Sequence, residues 1–297
     1  MASPEFERIN KIIWDRRVDA PLNVPGMRKM LEKTAGPLPE GASLAEVDAG
    51  GVPAAWVSGP DAAPDAAVLY LHGGGYAAGS INTHKNLTGA LAKAMGCRVL
   101  ALDYRLAPEN PHPAPVDDAL AGYRYLLGQG IPPERVAISG DSAGGGLTMA
   151  ALLAIKQAGE PLPAAAAPIS PWVDMTGSGE SMETRAAVDP MVSQKGLLEM
   201  AECFLGKDGD RTDPLASPLE GDLSGLPPLL IHVGDCEVLL SDSERLAEKA
   251  KAAGVDVTLE VWPEMTHVWH ALAGLVPEAD QAIVRIAEFL RPKLNLA

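Results

Sequence analysis

Val136-Ala137-Ile138-Ser139-Gly140-Asp141-Ser142-Ala143-Gly144-Gly145-Gly146 is the stretch that decides how this 297-residue chain is read. A short β-branched run stops at a glycine. One serine follows, then small residues, then the apolar run Leu147 to Ile155. That order spells strand, sharp turn, helix, with a hydroxyl at the apex. Gly140-Asp141-Ser142-Ala143-Gly144 fits G-x-S-x-G, a pattern in which the turn forces the serine into strained backbone geometry. Residues two before and two after must then be tiny to avoid clashing. The small residues also let the helix N-terminus, with its free N–H groups and dipole, approach an anion. The five residues alone equally fit a glycine-rich turn that binds a phosphate. With 30 glycines in the chain, chance matches are common. The flanking strand and helix are the context that favours an activated serine.

The totals set bounds on everything else. The length suits one large domain, or one domain with a small appendage, and is enough to bury a substantial core. Apolar residues make up 47% and charged residues 21%, an ordinary globular balance. A net charge of −15 repels nucleic acid and anionic membranes, so neither is an expected partner. Cys97, Cys203 and Cys236 are far apart and odd in number. They form neither a disulfide framework nor a metal-ligand spacing, so reduced, mostly buried thiols and a cytoplasmic setting are expected, with no metal and no cofactor. The first 14 residues carry Glu5, Glu7, Arg8 and Lys11 and lack the apolar core of a signal peptide. The run Ala143 to Ile155 is too short and glycine-rich to span a bilayer.

Along the chain, residues 1–35 read as helical, with Ile9, Ile12, Ile13, Val18, Met27, Met30 and Leu31 apolar and Pro21 and Pro25 breaking the stretch in two. This segment is either a lid or a packed N-terminal arm. Leu44–Asp48 and Ala54–Val57 flank Gly50-Gly51 as a hairpin. Strand–helix alternation begins at Ala66. Val68–Leu71, Val99–Leu102, Val136–Ser139 and Ala164–Ile169 read as strands. Thr83–Met95, with Thr83 as cap, and Val116–Leu127 read as helices. Continuous apolar strands alternating with helices imply an α/β fold with a mostly parallel sheet of about eight strands, covered on both faces. The alternation lapses between Met175 and Pro228, where one helical pattern, Ser193–Phe204, stands in a Gly-, Ser- and Pro-rich insertion. It resumes with strand Leu229–Val233, helix Asp242–Ala253, strand Val257–Val261 and helix Pro277–Leu290.

A serine hydroxyl is a poor nucleophile until a base takes its proton. A strand-end acid and then a strand-end histidine follow Ser142 in the order such sites require. His267, in the loop after strand 257–261, is the expected base, with His270 as competitor. Glu237 is the favoured acid, with Asp235 and Asp242 after the same strand as alternatives; its job is to hold the imidazole's tautomer and stabilise the imidazolium. His72-Gly73-Gly74-Gly75-Tyr76 directly follows strand 68–71. Its glycines let backbone N–H groups turn inward, and Gly74 and Gly75 with the Ala143 N–H would complete an oxyanion hole.

With these motifs in order, the sequence resembles the hormone-sensitive lipase family of α/β-hydrolases, the bacterial family IV carboxylesterases. The matching stretches are His72–Tyr76, Asp103-Tyr104-Arg105-Leu106-Ala107-Pro108-Glu109, Gly140–Gly145, Ser170-Pro171-Trp172-Val173-Asp174, and His267. The resemblance covers roughly residues 66–290. It implies an α/β-hydrolase fold with a helical cap. The expected division is cap helices in 1–40, core in 41–174, a cap insertion in 175–228 and core in 229–297. It also implies a serine carboxylesterase for short- to medium-chain acyl esters, working through an acyl-enzyme on Ser142, Glu237 and His267. Tyr76, Asp141 and Trp172, from the matching motifs, are the expected substrate contacts. The family usually has an Asp-Pro-Leu turn at the acid; here Glu237-Val238-Leu239 stands there, with an extra methylene that calls for a slightly retracted backbone. Arg105 and Glu109 are expected to tie the loop under the oxyanion glycines. Trp14, Met27, Met191 and Leu198 are candidate cap-lining residues. The rivals are an amidase or deacetylase on the same triad and a non-catalytic ligand-binding protein of the same fold, against which His267 argues. The partner is expected to be a small-molecule ester, and strand 257–261, at a sheet edge, offers a homodimer contact.

Overall fold

The computed structural model describes residues 1–15 and 21–296. Val18, one of the apolar positions in the N-terminal pattern, lies outside them. Two helices open the chain, α1 (Pro4–Asp15) and α2 (Val24–Thr34). Pro25 sits in the first turn of α2, where its missing N–H costs nothing, so it starts this helix rather than breaking one. The strands are β1 (Ser43–Asp48), β2 (Pro53–Ser58), β3 (Ala63–Leu71), β4 (Cys97–Leu102), β5 (Val136–Asp141), β6 (Ala165–Ile169), β7 (Leu229–Gly234) and β8 (Val257–Trp262). The remaining helices are α3 (Ile81–Met95), α4 (Ala114–Gly128), α5 (Ala143–Gln157), α6 (Ser181–Thr184), α7 (Gln194–Leu205), α8 (Leu240–Ala252) and α9 (Pro277–Lys293). Helix α3 begins two residues earlier than its pattern suggests. Its cap is Ser80, and Thr83 is the third residue of a capping box, each side chain bonding the other's backbone N–H.

The strands form one eight-stranded sheet in the order β1-β2-β4-β3-β5-β6-β7-β8. β1 and β2 make the expected hairpin, and β2 joins β4 antiparallel; the rest are parallel. The interior strands bury both faces, which is why they read as unbroken apolar runs. Leu69, Leu71, Leu100, Leu102 and Ile138 face the layer of α4, α5 and α8. Val68, Tyr70, Val99 and Ala137 face α3 and α9. Helix α5 is buried from Ala143 through Ile155 and so carries no polar stripe.

Strand order places the chemistry. After β3 the chain runs outward to β4 and then returns to add β5 on the other side of β3. This reversal opens a crevice at the carboxyl ends of β3 and β5. Leu71, the last residue of β3, pairs with Gly140, two residues before Ser142. The triple-glycine loop and the serine turn are therefore neighbours by register. Farther along the same edge, Asp141 pairs with Ile169, Ile169 with His232, and Gly234 with Trp262. The loops after β7 and β8, which carry Glu237 and His267, emerge on that side.

Candidate active site

Ser142 caps α5 with φ 56° and ψ −120°, a conformation strained for a residue with a side chain. The strain is held from both sides. The Ser142 N–H donates to Ile169 O at 2.8 Å, and the Trp172 N–H donates to Ser142 O at 3.0 Å. A Cβ at Gly144 would lie 1.9 Å from Leu71 O, and one at Gly140 would lie 2.4 Å from the same oxygen. These approaches are why both positions flanking Ser142 at two residues are glycine.

The structure brings Glu237 and His267 together. His267 Nδ1 lies 2.8 Å from Glu237 Oε2. Glu237 is fully buried, and its Oε1 accepts hydrogen bonds from Ser170 Oγ at 2.8 Å and from the Gly234 N–H at 2.6 Å. The longer glutamate is thus fixed at both oxygens. Burial acts to lower the His267 pKa, but the hydrogen bond and charge of Glu237 outweigh it and the net direction is upward. The competitors point elsewhere. Asp235 Oδ1 accepts from the Glu264 N–H. Asp242 Oδ2 accepts from the N–H groups of Val173 and Asp174. His270 is buried with Nε2 3.1 Å from His232 Nδ1, and burial holds its pKa well below the usual imidazole value.

The loop after β3 wraps back on itself. Gly74 has φ 119°, which a side chain rarely tolerates, and Gly74 O accepts from the N–H groups of Ala77 (3.2 Å) and Ala78 (3.0 Å). Among the described residues, no acceptor is bonded to the N–H groups of Gly74, Gly75 or Ala143. His72 anchors the loop from below: its Nδ1 is 2.8 Å from Gly73 O, its ring stacks on Tyr104 at 4.3 Å, and Tyr104 Oη donates to His72 O. Burial, and then the neighbouring His84, hold the His72 pKa down to about 3, so the ring is neutral.

The expected substrate contacts fare differently. Asp141 is turned into the protein. Its Oδ1 accepts from Tyr70 Oη at 2.7 Å and the Gly73 N–H at 3.1 Å, and His84 Nε2 lies 3.4 Å from Oδ2. Burial raises its pKa, but His84 overrides that and the carboxylate is held near 2. Its partners belong to the glycine loop and its supports. Tyr76 and Trp172 are also buried; Tyr76 stacks on Phe204 at 3.8 Å, with Trp172 at 6.1 Å. Of the loop tie expected of Arg105 and Glu109, only Glu109 takes part, and it does so through Arg28, which donates to Ala77 O. Arg105 pairs with Asp118 of α4 at 2.7 Å, and Glu109 receives Arg28 of α2. Of the thiols, Cys97 is buried, whereas Cys203 and Cys236 are only half-buried, fewer than expected. Among the described residues, no group of three or more His, Cys, Asp or Glu side chains could hold a metal ion. No helix among them is long and apolar enough to cross a membrane.

A protein-family model described as alpha/beta hydrolase fold matches residues 68–271. The acetyl-hydrolase of Streptomyces hygroscopicus is 53% identical over 224 residues, 75% of each chain. The crystal structure of an esterase from the bacterial hormone-sensitive lipase family matches with a TM-score of 0.95, at 48% identity over 99% of both chains. The chain belongs to the hormone-sensitive lipase family of α/β-hydrolases. A crystal structure of EstE5, soaked by p-nitrophenyl butyrate, is likewise similar, with a TM-score of 0.96 and 48% identity over 99% of this chain and 100% of that one.

Four further residues of this α/β-hydrolase support the site in ways that no motif specifies. Ser170 joins Glu237 to the turn of β6, and its Oγ also accepts from the Val268 N–H at 3.3 Å. Asp189, wholly buried in the insertion, accepts from the Val238 N–H at 3.0 Å and so grips the loop beside Glu237. Met200 of α7 lies over the glycine loop, its sulfur 2.9 Å from where a Gly75 Cβ would sit. His84 of α3 reaches Asp141. Ser170 stood inside a quoted motif; the others come from segments whose contacts only the fold determines.

Proposed function

We propose that this hydrolase is a serine carboxylesterase acting on short acyl esters. Ser142 Oγ attacks the ester carbonyl as His267 Nε2 takes its proton. The developing oxyanion is met by the Gly74 and Gly75 N–H groups of the loop after β3 and by the Ala143 N–H at the N-terminus of α5. His267, now an imidazolium steadied by Glu237, passes the proton to the departing alcohol. The acyl-enzyme is then opened by a water that His267 deprotonates; as the bond from the acyl carbon to Ser142 Oγ breaks, His267 returns that proton to Ser142 Oγ and the carboxylic acid leaves. Each carboxylate and imidazole returns to its starting charge.

The observation that carries this reading is the buried 2.8 Å Glu237–His267 pair on the same sheet edge as a serine held at φ 56°. The short-chain preference is supported by Met200 over Gly75 and by the names of the relatives: one is an acetyl-hydrolase and another was soaked with a butyrate ester. The cap is assigned to α1, α2 and residues 175–228. β8, the last strand of the sheet, is assigned a homodimer contact, which the solution mass by light scattering tests. For the reaction, Ser142→Ala is expected to abolish p-nitrophenyl acetate hydrolysis while leaving thermal unfolding in place. Activity retained in that variant would overturn the assignment.

A further inference from the structure

Helix α2 lies beside the glycine loop with none of its own residues buried. It is held by polar contacts. Arg28 donates from Nε to Ala77 O at 2.7 Å and from Nη2 to Ala107 O at 2.9 Å. Its Nη1 and Nη2 also bond the two oxygens of Glu109, at 2.9 and 2.7 Å. One turn on, Glu32 accepts from Ser80 Oγ and Asn82 Nδ2, both at the start of α3.

The Ala77 carbonyl is a telling acceptor. A peptide unit is planar, so fixing its oxygen fixes the direction of its N–H. The Ala77 carbonyl shares a unit with the Ala78 N–H, which donates to Gly74 O at 3.0 Å. The Gly74 carbonyl in turn shares a unit with the Gly75 N–H, one of the oxyanion donors assigned above. Two peptide planes in series thus connect the Arg28 guanidinium to that donor. The same series polarises each amide in turn, which strengthens the last N–H as a donor. Gly74, at φ 119°, has no side chain to hold this geometry, so it depends on the hydrogen bonds. The Glu109 carboxylate keeps the guanidinium in the plane that reaches both Ala77 O and Ala107 O.

We propose that Arg28 is a positioning residue for the oxyanion hole, acting through the Ala77–Ala78 and Gly74–Gly75 peptides on the Gly75 N–H, so that oxyanion stabilisation requires α2 to be docked. The inference rests on the esterase reading. It is tested with Arg28→Met, which keeps the stem and removes every donor, Arg28→Lys, which keeps the charge, and Lys29→Ala, an exposed neighbour on the same helix. Each is assayed with an acetyl ester and its matched thionoester, whose sulfur is a poor acceptor for the hole. Arg28→Met is expected to lower kcat for the oxygen ester about ten- to hundredfold with KM within about twofold, since losing a whole donor costs about 10²–10³. The thionoester rate falls less, so the oxygen-to-sulfur preference drops about tenfold. Arg28→Lys falls between, and Lys29→Ala matches the wild type. An unchanged preference in Arg28→Met, with or without a loss of rate on both substrates, overturns the inference alone. A wild-type protein that hydrolyses neither ester overturns the esterase reading and the inference with it.

Discussion

Glu237→Gln removes one charge at nearly constant shape, and the structure sets how much that should matter. Glu237 is wholly buried and His267 is 7% exposed, so solvent screens their interaction poorly. During attack His267 becomes an imidazolium 2.8 Å from the carboxylate. For charge centres about 4 Å apart in an effective dielectric of about 20, the attraction is about 4 kcal/mol. Losing it from the transition state lowers kcat about 10³-fold. A second consequence concerns pH. Only neutral His267 can take the serine proton, so activity rises with pH through the His267 pKa. In the wild type Glu237 drives that pKa upward against burial, and the acid limb of kcat/KM lies above the ordinary imidazole value of 6.5. In Glu237→Gln burial is opposed only by the charges of Asp189 and Asp141, and the limb moves to lower pH. The assay is the pH profile of p-nitrophenyl acetate hydrolysis from pH 5 to 9. A loss smaller than about tenfold, or an acid limb that stays in place, refutes the assignment of Glu237 as the acid.

Three further outcomes follow from the same geometry. Burial pushes the Asp242 carboxyl from 3.8 up to about 7, so between those values the folded protein holds a proton that the unfolded chain has released. Stability therefore falls as pH rises through that window, and Asp242→Asn should flatten the fall in Tm between pH 5 and 7.5; an identical slope would contradict it. Gly144→Ala puts a Cβ 1.9 Å from Leu71 O and 2.5 Å from His72 O. It should cost about 3 kcal/mol in urea unfolding and most of the activity, whereas a neutral result would mean the serine turn is looser than described. Met200→Ala opens space over Gly75 and should raise kcat/KM for p-nitrophenyl octanoate relative to acetate about tenfold; an unchanged ratio removes Met200 from the acyl site.

The parallel core was legible because β3, β4, β5, β6 and β7 are buried on both faces, which leaves unbroken apolar runs in the sequence. Ser142, Glu237 and His267 could be singled out because strand order constrains where a nucleophile, acid and base can stand; of these, the structure joins Glu237 to His267. Discriminating Glu237 from Asp235 by loop position anticipated its contact with His267, but the Ser170 and Gly234 bonds that hold it were not written in any local pattern. The misreadings share a cause. Arg105 and Glu109 lie four residues apart, and their spacing says nothing of Asp118 or Arg28, the partners that folding supplies. Asp141 stands beside the serine in sequence, yet strand alternation turns its carboxylate away, toward Tyr70 and His84. Thr83 looked like a cap because it begins the apolar pattern of α3; Ser80 is the residue at which the chain is still extended. Arg28 stands in a helix with no fully buried residue, and the apolar pattern that marks the helix says nothing of what its guanidinium reaches.

The central claim is that Ser142 is an activated nucleophile within reach of His267 and the oxyanion amides. The most direct measurement is labelling of the native protein by a fluorophosphonate, followed by mass spectrometry of the peptide around Ser142. The account predicts one adduct per chain, on Ser142, lost in Ser142→Ala and slowed strongly in Glu237→Gln. An unlabelled native protein, or an adduct on any other residue, would contradict it.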